Sequence, residues 1–218
     1  MDKQWIIKDA ERHVRSLHKE DTTGHDFEHI MRVRHIALDI AQHEQVNTFI
    51  VELASLLHDS VDSKLFKDAN KAWDNLYVWM NKVQLSTEIQ KEIIHILKYI
   101  SYKGGKNKGK LNSLAGKVVQ DADRIDALGA IGIARTFQFA GHFNEPMHIT
   151  DSKPRDLNTI TADQYHNEPN TAINHFYEKL LLLKDQMNTV RGKEIAEDRH
   201  KFMLMFLEQF FDEWNVGI

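Results

Sequence analysis

Apolar residues recur at intervals of three and four along almost the whole chain, and this periodicity limits the possible folds more than any other feature. A helix brings positions i, i+3, i+4 and i+7 to one face, so each such run specifies a helix with one side to bury. Only 10 glycines and 3 prolines interrupt the 218 residues. Alternation of the strand type survives only in fragments. The spacing predicts helices over about 2–18, 26–43, 47–59, 68–82, 86–100, 112–140, 170–188 and 191–215. The expected fold is all-α.

Two segments interrupt that pattern. SYKGGKNKGKLNS carries three glycines and four lysines, and the stretch from Asn144 to Pro169 holds all three prolines. A loop as long as the second is usually functional or disordered. Neither has enough helix on both sides to build separate cores, so residues 1–218 are expected to form a single domain. Its core falls at about 25–140, with C-terminal helices at about 170–215 packed on it.

Composition narrows the function. Lys+Arg 28 against Asp+Glu 32 leaves a formal charge of −4, without the basic footprint of a protein that coats a nucleic acid polymer. No apolar run is long enough to cross a bilayer, so no membrane partner is expected. The N-terminal MDKQWIIKDAERHVR lacks the apolar stretch and cleavage site of a signal peptide, and a cytoplasmic protein is expected. With 0 cysteines there are no disulfides and no thiolate metal ligands. Histidine is the anomaly, at 13 residues.

One histidine stands where chemistry would need it. His58-Asp59 closes the apolar run FIVELASLLHD. An imidazole and a carboxylate are poor core material because each needs a partner once out of water. Ahead of them, HDFEHIMRVRHIALDIA drawn as a helix puts His29 with Val33, Ile36 and Ile40 on the inner side, Arg32 beside them, and His35 outward. After them, QDADRIDALG opens a third helix with Asp121, Asp123 and Asp126. Two neutral imidazoles and two carboxylates balance one divalent cation and leave about two open positions on an octahedral ion. Such mixed nitrogen and oxygen donors suit Mn²⁺, Fe²⁺, Co²⁺, Ni²⁺ or Zn²⁺ better than Mg²⁺, with Mn²⁺ preferred.

In this order, His29, His58-Asp59 and Asp123 resemble the HD-domain metal-dependent phosphohydrolase superfamily. GHDFEHIMRV, LLHDSVDSK, VVQDADRIDALGAIGIAR and NHFYEKLLLLKDQMNT look like its short, single-domain bacterial branch, which includes nucleotide pyrophosphohydrolases. The resemblance runs from about His25 to Trp214 and implies a single-domain HD helical bundle. It also implies His29, His58, Asp59 and Asp123 as ligands of one divalent transition metal. Asp121 and Asp126 compete with Asp123. Asp121 falls roughly opposite Asp123 on a helix, while Asp126 shares its side one turn on and suits a supporting role.

The same resemblance implies hydrolysis of a small phosphorylated substrate, a nucleotide, with a triphosphate cut to monophosphate and pyrophosphate as the leading reaction. A phosphatase for nucleoside monophosphates and a metal- and nucleotide-binding regulatory module are the alternatives. Asp62, one turn past Asp59, matches an acidic residue that positions or deprotonates water in related enzymes; a solvated capping aspartate is the other reading. Arg32 and Lys64 are the nearest candidates for phosphate oxygens, though an ion pair would equally occupy Arg32. His25 could contact substrate, orient a ligand or serve the helix start. Lys103 and Lys106, with Lys108 and Lys110, form a basic loop that either closes over substrate or is simply solvated. Between Asp59 and Asp123 only His95 is available as a further histidine, which disfavours a two-metal centre. The apolar KFMLMFLEQFFDEW either crosses the core or offers Phe202, Phe206 and Phe211 to a homodimer.

Overall fold

The computed structural model describes residues 2–62, 68–101, 109–155 and 170–216. Among these the chain is helical throughout, without a strand. The helices are α1 (Lys3–Leu17), α2 (Phe27–Ala41), α3 (Thr48–Leu57), α4 (Ala69–Lys82), α5 (Thr87–Tyr99), α6 (Leu114–Asp126), α7 (Gly129–His142), α8 (Ala172–Glu178) and α9 (Val190–Trp214), with a 3₁₀ helix over Leu180–Gln186. The all-α expectation is met.

Most of these helices begin at a side chain that satisfies an otherwise orphaned backbone N–H. Asp2, Asp26, Asn47, Asp68, Ser86, Thr171 and Thr189 each accept a bond from the first turn they precede. The helices gather into two compact units. One comprises Met1–Asp21 and His25–Asp123; the other comprises Thr22–Gly24 and Arg124–Ile218.

In the first unit α3 is the centre, packed by α1, α2 and α5. Phe49, Ile50, Val51, Leu53, Ala54, Leu56 and Leu57 are all buried, leaving α3 little solvent-facing side. A helix apolar on every face must be covered on every face. This fixes the end of α3, and with it His58-Asp59, in the interior.

In the second unit α7 packs on α8 and α9. Phe137, Phe176 and Phe206 form its aromatic kernel, with ring centroids 5.9–6.3 Å apart. Phe206 is half-buried against these rings, whereas Phe202 is 48% exposed. Arg155 and Asn170 both bind the buried Glu178 carboxylate. Arg155 does so through Nε and Nη2, at 3.0 and 2.7 Å, and Asn170 through Nδ2 at 3.4 Å.

Two helix predictions need correction. The expected helix over about 112–140 is broken at Ala127-Leu128 into α6 and α7. Gly129 sits at φ +72°, a conformation that side chains disfavour. A Cβ on Gly132 would lie 2.2 Å from the Ala127 carbonyl oxygen. These small residues serve a tight bend rather than a continuous helix. Arg199 Nη1 donates to the Ile125 carbonyl at 2.7 Å, satisfying a terminal acceptor of α6. The expected helix over about 170–188 is likewise split, into α8 and the 3₁₀ helix.

Candidate metal centre

Each candidate ligand is held by the local structure around it. Asp26 caps α2 by accepting from His29 N at 2.8 Å, so His29 enters the first turn pointing inward and is fully buried. His58 and Asp59 follow the last turn of α3 and are buried with it. Asp123 lies one turn before the end of α6 and is partly open to solvent.

The imidazoles meet face to edge, and His29 Nε2 lies 3.1 Å from His58 Nε2. Asp59 Oδ2 is 3.4 Å from the first nitrogen and 3.3 Å from the second. Asp123 Oδ1 stands 3.8 Å from both. Ligand atoms of His29, His58 and Asp59 all fall within 4.8 Å of one another.

The tautomer of His58 can be assigned. Its Nδ1 lies 2.8 Å from the Ser55 carbonyl oxygen, which can only accept, so Nδ1 carries the hydrogen. The neutral ring then presents a lone pair at Nε2, toward His29. A backbone carbonyl behind the far nitrogen is a common support for a metal-binding histidine.

Electrostatics give the same picture. Burial alone would push His58 down, but Asp59 and then Asp123 override it and raise the imidazole to about 9. Burial would raise Asp59, yet His58 and His29 hold it well below the usual carboxylate range. Asp59 Oδ2 is buried with no donor in hydrogen-bonding geometry. Positive charge is therefore needed among these four residues, and a divalent cation fits the donor set. Neighbouring donors at roughly 2.1 Å from an octahedral ion stand about 3 Å apart, close to the separations of His29, His58 and Asp59.

Asp126 is engaged elsewhere. Asp126 forms a 2.9 Å ion pair with Arg135, whose Nε also donates to the Gly24 carbonyl. Asp121 is fully buried, as expected for a position opposite Asp123 on the helix.

Asp62 is half-buried just beyond the ligand turn. Its N–H donates to the Asp59 carbonyl at 3.3 Å, and Ser101 Oγ donates to its Oδ2 at 3.3 Å. The His25 ring packs edge-on against His29 at 5.5 Å, and its backbone N–H is held by Asp21 at 2.9 Å. Arg32 is half-buried on α2, one turn past His29. Lys64, Lys103 and Lys106 lie outside the described residues. His95 is half-buried; its Nε2 lies 3.1 Å from the Lys110 carbonyl oxygen, and its ring packs on Tyr99 at 4.9 Å.

His18 escaped the sequence reading. It is buried at the end of α1, and its Nδ1 donates to the His25 carbonyl at 3.0 Å. Burial lowers its pKa, with Asp59 opposing and His58 adding to the shift, so it shares the field of the candidate ligands. The signal was available: His18 lies one turn after Val14, on the buried stripe of Ile7, Ala10 and Val14.

The chain is similar to a known domain family and to several known proteins. Residues 26–128 match the HD domain model. Bacillus subtilis YpgQ is 38% identical over 200 residues, covering 90% of this chain and 87% of that protein. A crystal structure from Lactobacillus plantarum superposes with a TM-score of 0.88 at 35% identity over 100% of both chains. An HD-superfamily hydrolase from Bacillus thuringiensis gives 0.76 at 38% identity, covering 99% of this chain and 100% of that one. The crystal structure of YpgQ in complex with ADP gives 0.75 at 34% identity, over 97% and 98% of the two chains.

Proposed function

This chain belongs to the HD-domain phosphohydrolase family, and from that premise we propose that it hydrolyses nucleotides, cutting a nucleoside triphosphate to monophosphate and pyrophosphate. The observation that carries the reading is the 3.1 Å approach of His29 Nε2 to His58 Nε2 beside the Asp59 carboxylate. The nucleotide part of it is supported by the ADP complex of YpgQ.

In this reading His29, His58, Asp59 and Asp123 hold one divalent ion, with Mn²⁺ preferred for its tolerance of mixed nitrogen and oxygen donors. When bound, such an ion supplies charge for phosphoryl oxygens and lowers the pKa of water. Asp62 orients the attacking water and accepts its proton, while Ser101 holds the carboxylate in place. The water oxygen bonds to the α-phosphorus as the bridging P–O bond breaks and pyrophosphate leaves. Arg32 offers a planar fork for phosphate oxygens, and Lys64, Lys103 and Lys106 add charge toward the same group. His25 backs His29 and borders the substrate. Among the described residues no helix is long and apolar enough to cross a membrane.

The test is product analysis with Mn²⁺ and a panel of nucleoside mono-, di- and triphosphates, beside His58→Ala. Pyrophosphate and monophosphate from triphosphates, absent in the variant, are expected. Orthophosphate from monophosphates would make the enzyme a nucleotidase, and binding without any turnover would make it a regulatory module.

A further inference from the structure

The first unit contains a cavity of about 250 Å³ between α1 and α4 that the metal centre does not use. At one end the helices are tied together. Trp79 Nε1 donates to Asp9 at 2.9 Å, and the Trp79 ring stacks on His13 at 5.4 Å with an interplanar angle of 17°. Beyond that tie, toward the end of α1 and the start of α4, the described residues leave a space between the two helices. Leu17, Ala72 and Leu76 give it apolar walls, and His13, Ser60 and Asn75 bring polar atoms to it. Ser60 directly follows the candidate ligand Asp59 in sequence, so the cavity reaches the turn that carries the metal centre.

We propose that this cavity binds the nucleobase of the substrate, a reading that rests on the nucleotide hydrolase proposed above. Size is the first reason. Pockets for whole drug-sized ligands run to about 300–1,000 Å³, so this one suits a planar fragment rather than a complete nucleotide. Chemistry is the second. A base needs apolar surface for its faces and a few hydrogen-bonding groups at its edge. Ser60 Oγ already donates to the Leu57 carbonyl, so it faces a ligand as an acceptor, suited to an amino or ring N–H. Burial pushes His13 below its ordinary pKa, and a neutral ring offers a donor and an acceptor. The exposed Asn75 amide also offers both, and rotating it exchanges them. Asp68 and Lys71 line the cavity as well and are its charged residues. Asp68 accepts from Lys71 N at 3.0 Å as the cap of α4. A reversible amide beside two neutral groups favours tolerance among bases over strict selection.

Adenosine, which lacks phosphate, tests the pocket apart from metal and turnover. It is titrated by ligand-observed NMR against the full chain in EDTA and in Mn²⁺. Wild type is expected to bind in both conditions. Asn75→Leu is expected to bind about tenfold more weakly, the scale of one lost hydrogen bond. Ala72→Phe, which fills the cavity, is expected to abolish binding. Mn²⁺ affinity serves as the folding control for both variants. Adenosine that does not bind wild type, or that binds both variants as it binds wild type, overturns the assignment. Triphosphate hydrolysis with adenosine binding indifferent to Ala72→Phe would keep the hydrolase and remove the base pocket. Adenosine binding with no hydrolysis would do the reverse.

Discussion

His58 Nδ1 donates to the carbonyl of Ser55, three residues back in the last turn of α3, at 2.8 Å. That bond turns Nε2 of His58 toward Nε2 of His29, 3.1 Å away. Two lone pairs so placed repel unless a cation or a proton stands between them.

Metal removal is therefore expected to destabilise the protein. Mn²⁺ should raise the Tm of chelator-treated wild type in a concentration-dependent way, because an ion that binds only the folded state stabilises it by mass action. His58→Ala should lose most of that response, and its turnover should fall by more than about a hundredfold, since even the outer partners of metal ligands are worth about 10–100-fold. Calorimetric titration of Mn²⁺ and differential scanning check both.

Metal affinity should also depend on pH. Without a metal His58 keeps its proton up to about 9. Binding must expel that proton, so affinity is expected to rise with pH through neutrality and level off near the same value. Titrations in buffers of different ionisation enthalpy would reveal the released proton.

Asp62→Asn should lower kcat by about 10²–10⁴-fold if the carboxylate takes a proton from water. Mn²⁺ affinity should stay close to wild type. A comparable loss of metal binding would instead make Asp62 a ligand. Ser101→Ala, which removes one donor to Asp62, should have a smaller effect in the same direction.

Asp9 links stability to acid. Arg12 holds its carboxyl below the ordinary 3.8, burial opposes this, and Trp79 adds to the lowering. A carboxylate depressed by folding adds stability above its unfolded pKa and loses it as pH falls through the folded value. Asp9→Asn should thus be less stable than wild type at pH 7, and the gap should close below about pH 4. Arg12 is largely exposed, so the effect should be modest and weakened by salt. Urea unfolding at several pH values measures it.

Glu178 should be costly to neutralise. Its carboxylate is fully buried, and Arg155 beside it is nearly so. Breaking a buried pair from one side costs about 3–5 kcal/mol, because the remaining buried charge loses its opposite charge. Glu178→Gln and Arg155→Met should each lower Tm sharply, and the double variant by less than the sum. Additive losses would mean that the two act independently.

Much of this was legible in the sequence, for identifiable reasons. A 3.6-residue period is written directly into the positions of apolar residues, so the existence of α1 to α5 could be read. His29 could be assigned inward because it shares a face with Val33 and Ile40, and both are fully buried. The break between α6 and α7 was missed because glycine and alanine suit close helix packing as well as a turn. Only the backbone shows that Gly129 has φ +72°. Among Asp121, Asp123 and Asp126 the sequence favoured Asp123, and what it could not show was where Asp126 turns. Helical angle separates the first two, but the partner of Asp126 is Arg135, nine residues away across a bend that periodicity did not reveal.

That bend has an evolutionary consequence. At Gly132 the smallest change open to a mutating gene, a single methyl group, would already collide with the main chain at Ala127. A side chain at this position would force the main chain at Ala127 to shift. In a distant descendant whose acidic residues have shifted or multiplied, the glycine pair 129 and 132 would act as a ruler. Counting back from it should identify the counterpart of Asp123 where overall similarity has faded.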